Sequence, residues 1–216
     1  MDVILENFDL YRSGFFKTVG IVFWAGIGAL VIGVVLAGFR VSPIPPLRWV
    51  GTSYVNVFRN CPLTVVLFFV AFGFPELGIN QSYYRFAVLG LVLYTAAFVC
   101  EAVRSGINSV APGQAEAARS IGLTFTQSLR FIVLPQALRS VVPPLGSVII
   151  AMMKNSAIVG AFGVAGELFS VGNTLSSARG YAPLPVLTGV VLGYLCLTIP
   201  SGLLLQVIER RVAVAR

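Results

Sequence analysis

Gln114-Ala115-Glu116-Ala117-Ala118-Arg119-Ser120-Ile121-Gly122, followed by Ile132-Val133-Leu134-Pro135, is a polar stretch set between two long apolar runs. Nothing in it is needed to cross a bilayer. Pro112-Gly113 starts a helix well, since proline is favoured in the first turn, and Gly122 is the residue type that stops one. Between them Ala111, Ala115, Ala118 and Gly122 fall at helical spacing. They form a stripe with almost no side chain, which permits close approach by another surface. Glu116 and Arg119, three residues apart, are expected to form a charged pair off that stripe. A helix with one smooth face and one polar face suits docking on a surface. The competing reading of such a stripe is an ordinary solvated, alanine-rich helix.

The runs on either side set the class. The chain is 57% hydrophobic and only 11% charged, with a mean hydropathy of +0.90. A soluble domain is about one quarter charged. The chain is therefore expected to be an all-α integral membrane protein, with room in 216 residues for five or six spans at about 20 residues each. Apolar runs of helical length exclude a barrel of alternating ten-residue strands. One membrane domain, 1–216, is predicted, with spans at 17–40, 50–74, 83–105, 129–153 and 184–208 and the polar loop at 106–127. Gly26, Gly28 and Gly33 allow the first span a close neighbour. Arg59-Asn60-Cys61-Pro62 interrupts the second, because Pro62 lacks an N–H. Pro135 and Pro143-Pro144 bend the fourth. Residues 154–181 form a second irregular region, rich in Gly and Ser. The start is acidic (Asp2, Glu6, Asp9) and the apolar run after it is long, so a retained first span is expected rather than a signal peptide.

The net charge of +7 follows from basic loops on one side of a membrane. With five spans and an outside N-terminus, the inner loops hold Arg40, Arg48, Arg59, Arg104, Arg119, Arg130, Arg139, Arg210, Arg211 and Arg216. The outer set is Arg12, Lys17, Arg85, Lys154 and Arg179, balanced by acids. An N-out, C-in orientation follows. No basic cluster with interleaved aromatics appears, which argues against nucleic acid as a partner. Cys61, Cys100 and Cys196 are far apart and lie in or beside apolar runs, so they read as packed thiols with no metal spacing. There is no histidine, and among acids only Glu101 lies in an apolar run, which leaves an intramembrane enzyme without a dyad or metal site. Glu101 and Arg104, at i and i+3, read as a structural pair near the inner face.

The Glu-Ala-Ala core with Gly122 and then Ile132-x-Leu134-Pro135 resembles the coupling loop of ABC-importer permeases. The resemblance extends over nearly the whole chain. Phe58-Arg59-Asn60-Cys61-Pro62-Leu63-Thr64, Glu101-Ala-Val-Arg104-Ser-Gly106, Lys154-Asn155-Ser156 and Glu209-Arg210-Arg211 are similar to elements of the polar amino acid uptake family (histidine, glutamine, glutamate). Tyr94 to Leu123 is most similar to a permease of actinobacterial glutamate importers. Cys61, where a threonine is usual, and Ala157 depart from the common pattern and leave the substrate open.

The resemblance implies a five-helix type I ABC importer (MetI-like) fold in the plasma (inner) membrane, with a cytosolic coupling helix. It implies transport of a polar, acidic amino acid, with glutamate favoured over glutamine, arginine or histidine. It also implies partners: a homologous second permease, a pair of ATPase subunits that bind ATP and Mg, and an extracytoplasmic binding protein. This chain itself would hold no cofactor, no metal and no catalytic site. Coupling to the ATPase is assigned to Ala111, Ala115, Glu116, Ala117, Ala118, Arg119 and Gly122. ATP closes the ATPase pair, the loop passes on the motion, and the permease pair opens outward. An ATP-independent carrier is the other class, but this chain shows no repeat of halves and no intramembrane Asp.

Transporter sites sit near the bilayer midplane at broken helices. Two breaks qualify: Arg59, Asn60 and Thr64 around Pro62, and Lys154, Asn155 and Ser156 at the end of the fourth span. Arginine binds carboxylates bidentately. The competing reading puts Arg59 at the inner interface by snorkelling and Lys154 at the outer interface as an anchor.

Overall fold

The computed structural model describes residues 2–162, 164 and 166–212, so Arg216 lies outside the described residues. A short α1 (Asp2–Glu6) leads into α2 (Phe8–Val41), whose 34 residues contain the predicted run 17–40. Then come α3 (Pro45–Asn60) and α4 (Leu63–Phe68), which passes through a π turn (Phe69–Gly73) into α5 (Phe74–Glu76). α6 (Tyr83–Asn108), α7 (Pro112–Ser120) and α8 (Phe125–Ser128) follow. A second π turn (Leu129–Val133) leads into α9 (Leu134–Val159). After α10 (Leu168–Asn173) and a third π turn (Thr174–Ala178), α11 covers Pro183–Val212.

Among the described residues, four stretches are long and apolar enough to cross a membrane: Phe8–Val41, Tyr83–Asn108, Phe125–Val159 and Pro183–Val212. The second predicted span needs correction. It is not one helix over 50–74 but two, Pro45–Asn60 and Leu63–Glu76, bent by 105°. Cys61, preceding Pro62, is extended (φ −94°, ψ 133°). The proline ring pushes its predecessor out of the helical region and removes the donor that would carry the helix on.

Helix directions show that this broken pair still crosses. Gly28 lies against Val92 and Gly33 against Val99, so α2 and α6 run the same way. The chain must therefore return between them, and residues 45–76 make that return. α9 runs back against α6, with Gly106 facing Val141 while Asn155 shares a cleft with Tyr94. α11 runs with α2, and the Tyr11 hydroxyl donates to Val186 O at 3.0 Å. Five passes result, with residues 2 and 212 at opposite ends, called here the α1 end and the α7 end.

Contacts between these helices rest on small residues. Lipid is as apolar as a leucine side chain, so close backbone approach and dispersion replace the hydrophobic drive of a soluble core. A Cβ on Gly33 would come within 2.5 Å of Val99, whereas one on Gly26 would meet only Met152 at an ordinary 3.4 Å. Ile21, Leu67, Leu91 and Met152 form the centre where α2, α4, α6 and α9 meet.

One further expectation changes. α9 continues as regular helix to Val159, so Lys154-Asn155-Ser156 lies inside it and is not a break. Pro135 follows the second π turn within the continuous helical stretch Phe125–Val159, and that wider turn is a usual accommodation for a missing N–H. Of the three thiols, Cys100 is buried, Cys61 is half-buried and Cys196 is exposed on α11.

Candidate functional site

The polar loop folds as its punctuation dictates. Pro112 occupies the first turn of α7. Past the other end, Gly122 adopts φ +89°. Its N–H donates to Arg119 O (3.0 Å) and that of Leu123 to Ala118 O (3.1 Å). This paired arrangement satisfies the last carbonyls of a helix and requires the left-handed conformation that glycine adopts freely. Thr124 and Gln127 then cap α8 reciprocally, with bonds of 3.3 and 2.9 Å. The loop is thus stiff on both sides of Gly122.

Its faces differ from the expectation. Ala118 is buried and Ala115 half-buried, because α7 packs on the segment 125–133 of its own chain. Ala111 and Gly122 stay exposed, as do Glu116, Ala117 and Arg119. The most exposed large apolar side chains of this loop are Ile121 (77%) and Phe125 (76%). Glu116 and Arg119 do not pair among the described residues. An exposed pair of this kind is worth only a few tenths of a kcal/mol, too little to hold two long side chains together. Against α7, the buried Ser128 hydroxyl has no hydrogen-bond partner among the described residues.

The second feature is an ion cluster on α6. Glu101 pairs with Arg104 at 3.4 Å, as expected, but it also holds two residues distant in sequence. Arg40 of α2 donates to its Oε1, and Arg59 of α3 lies 3.3 Å from its Oε2. The Arg59 guanidinium also sits over the Phe98 ring, 5.8 Å from its centroid.

Phe98 belongs to the third feature, a cleft of about 170 Å³ lined by Tyr94, Thr95, Phe98, Val148, Ala151, Met152 and Asn155. Tyr94, Thr95 and Phe98 fall at the middle of α6, halfway along its pass. The fold thus brings Asn155 into this cleft and Arg59 over a ring that lines it. The other proposed path residues are not gathered there. Lys154 is exposed one position along α9, and Thr64 is exposed on α4. Asn60 donates back to Asn56 O (2.7 Å), and the buried Ser156 to Met153 O (2.7 Å).

One buried acid escaped the sequence reading. Glu167 is fully buried beside α2 and α11. Its position just before the short apolar run Leu168–Val171 was its only signal. No group of three His, Cys, Asp or Glu side chains converges among the described residues.

A family model described as a binding-protein-dependent transport system inner membrane component matches residues 29–214. The probable glutamine ABC transporter permease protein GlnM of Bacillus subtilis is 39% identical over 211 residues, 98% of this chain and 97% of its own. The glutamate transport system permease protein GluC of Corynebacterium glutamicum is 39% identical over 214 residues, 94% of this chain and 93% of its own. A solved amino acid ABC transporter superposes with a TM-score of 0.91 at 32% identity, covering 97% of each chain. A chain of the inward-facing MetNI methionine ABC transporter gives 0.75 at 26% identity, covering 95% of this chain and 97% of that one.

Proposed function

The chain belongs to the family of binding-protein-dependent transport system inner membrane components, and from that membership we propose the permease subunit of an ATP-driven importer for polar amino acids, with glutamate as the favoured cargo. The single observation that carries the coupling role is α7: a helix started by Pro112, stopped by Gly122 at φ +89°, and set at the end where α6 gives way to α9 with most of its residues exposed. Its counterparts on a homologous permease would form the second half of the docking surface. Separate ATPase subunits would supply ATP and Mg chemistry, and an extracytoplasmic protein would deliver substrate at the α1 end.

The α7 end is assigned to the cytosol because Arg40, Arg48, Arg104, Arg119, Arg130, Arg210 and Arg211 collect there. Closure of the ATPase pair would push on α7. The second π turn joins that motion to α9, whose Asn155 lines the cleft. Transmission requires contacts that differ between two states, and a helix fixed at both ends changes place as a body. Relatives carry both names; glutamate rather than glutamine is supported by the Arg59 guanidinium over the cleft-lining Phe98 ring.

Substituting Gly122→Asp tests the coupling role. A side chain at φ +89° strains the turn by about 1–3 kcal/mol. The variant is expected to reach the membrane at normal level while uptake in whole cells falls at least tenfold. Normal uptake would sink the coupling reading.

A further inference from the structure

Glu101 has more cations around it than one carboxylate requires. Arg40, Arg59 and Arg104 reach it from α2, α3 and its own helix, so the four side chains sum to a charge of +2. The Nε of Arg104 is buried and has no hydrogen-bond partner among the described residues. Like charges held together at low dielectric favour a further anion. The three cations are not held alike. The Arg40 side chain is 14% exposed and that of Arg59 is 46% exposed. Only Arg59 also touches a wall of the mid-pass cleft, through the Phe98 ring.

We propose that Arg59 is the receptor for a substrate carboxylate, and that Glu101 holds its place until substrate arrives. The inference rests on the importer reading above. A carboxylate entering beside Phe98 accepts from the Arg59 guanidinium in the bidentate geometry that pairing favours. Glu101 releases Arg59 and keeps Arg40 and Arg104. One ion pair replaces another, so no charge is left buried and alone, and the cluster falls from +2 to +1. An amide or ammonium end group gains nothing from the exchange. Glu101 is then a positioning residue, and the excess of arginines around it is what makes Arg59 releasable. The chemistry required is a carboxylate, and an acidic amino acid carries two, one on Cα and one on its side chain.

The experiment is equilibrium binding of radiolabelled glutamate and glutamine to the purified permease–ATPase complex without binding protein. Arg59→Met is expected to raise Kd at least tenfold, with the melting temperature and ATPase co-purification unchanged. Loss for both amino acids assigns the α-carboxylate to Arg59, and loss for glutamate alone assigns the side-chain carboxylate. An unchanged Kd for both overturns the proposal. If Arg59→Met lowers the melting temperature, Arg59→Lys decides. It keeps the charge facing Glu101 but not the fork, so Kd should still rise at least threefold, and wild-type affinity in that variant overturns the proposal. Wild-type complex that binds neither amino acid also overturns it, and uptake in vesicles containing the binding protein then shows whether the importer reading stands.

Discussion

The carboxylate of Glu167 accepts from the backbone N–H groups of Ser170 (2.5 Å) and Phe169 (3.0 Å), and the Tyr194 hydroxyl donates to it from α11 (3.4 Å). Beside it, Leu168 N–H donates to Thr18 Oγ1 of α2 (3.1 Å). The first turn of α10 would otherwise bury unsatisfied donors, which are costly away from water. One acid therefore ties α2, α10 and α11 together at the α1 end. Glu167→Leu leaves two backbone donors orphaned, at about 1–3 kcal/mol each. It is expected to lower the melting temperature of the solubilised protein by several degrees. Glu167→Gln keeps one carbonyl acceptor and should lose about half as much. Because Glu167 does not line the Tyr94–Asn155 cleft, uptake per unit of surviving protein should not change. A Gln variant with normal stability and lost uptake would assign this acid to transport instead.

At the scale of the element, α7 separates what was legible in the sequence from what was not. Its start and stop were readable because they are local: Pro112 suits a first turn, and Gly122 takes the φ +89° that the terminal hydrogen bonds demand. Its working face was not readable. A stripe of small residues serves equally for a partner and for the chain's own body, and here Ala118 is spent on segment 125–133. Distance explains the other gaps. Glu101 and Arg104 are one turn apart and their pairing was visible, but nothing local announces Arg40, 61 positions away. Lys154-Asn155-Ser156 looked like a break because glycines follow, yet the helix outlasts it to Val159. The two faces make separable predictions. Ala118→Leu overpacks the chain's own fold and should lower protein level, with an expected cost of about 1–3 kcal/mol. Ile121→Asp should leave protein level intact and reduce ATPase co-purification severalfold, since Ile121 is exposed on the other face. If Ala118→Leu alone disrupts the complex while protein level holds, the stripe is the docking face after all.

For the whole molecule, the crossing number depends on the bend at Cys61-Pro62. Counting only long helices leaves four passes, which would put both ends of the described chain on one side. Yet α2 and α6 run parallel, and parallel neighbours need a return between them, which only residues 45–76 can provide. Leu63–Glu76 alone is short for a bilayer, at 14 residues or about 21 Å against a hydrocarbon core of about 30 Å. α3, with Trp49 exposed and Arg59 near its end, joins the end of α2 to this segment across the 105° bend. The proposed orientation, with the α7 end inside, rests on the arginine distribution. Cysteine labelling tests both steps together. In a variant whose native Cys61, Cys100 and Cys196 are replaced by alanine, Ile4→Cys should react with a membrane-impermeant maleimide on intact spheroplasts. Ser120→Cys and Glu209→Cys should react only after permeabilisation. Labelling of Ile4→Cys and Glu209→Cys from the same side would mean that the bent pair does not cross. Labelling of all three from the opposite sides to those stated would keep five passes and reverse the orientation, and with it the placement of α7 against a cytosolic ATPase.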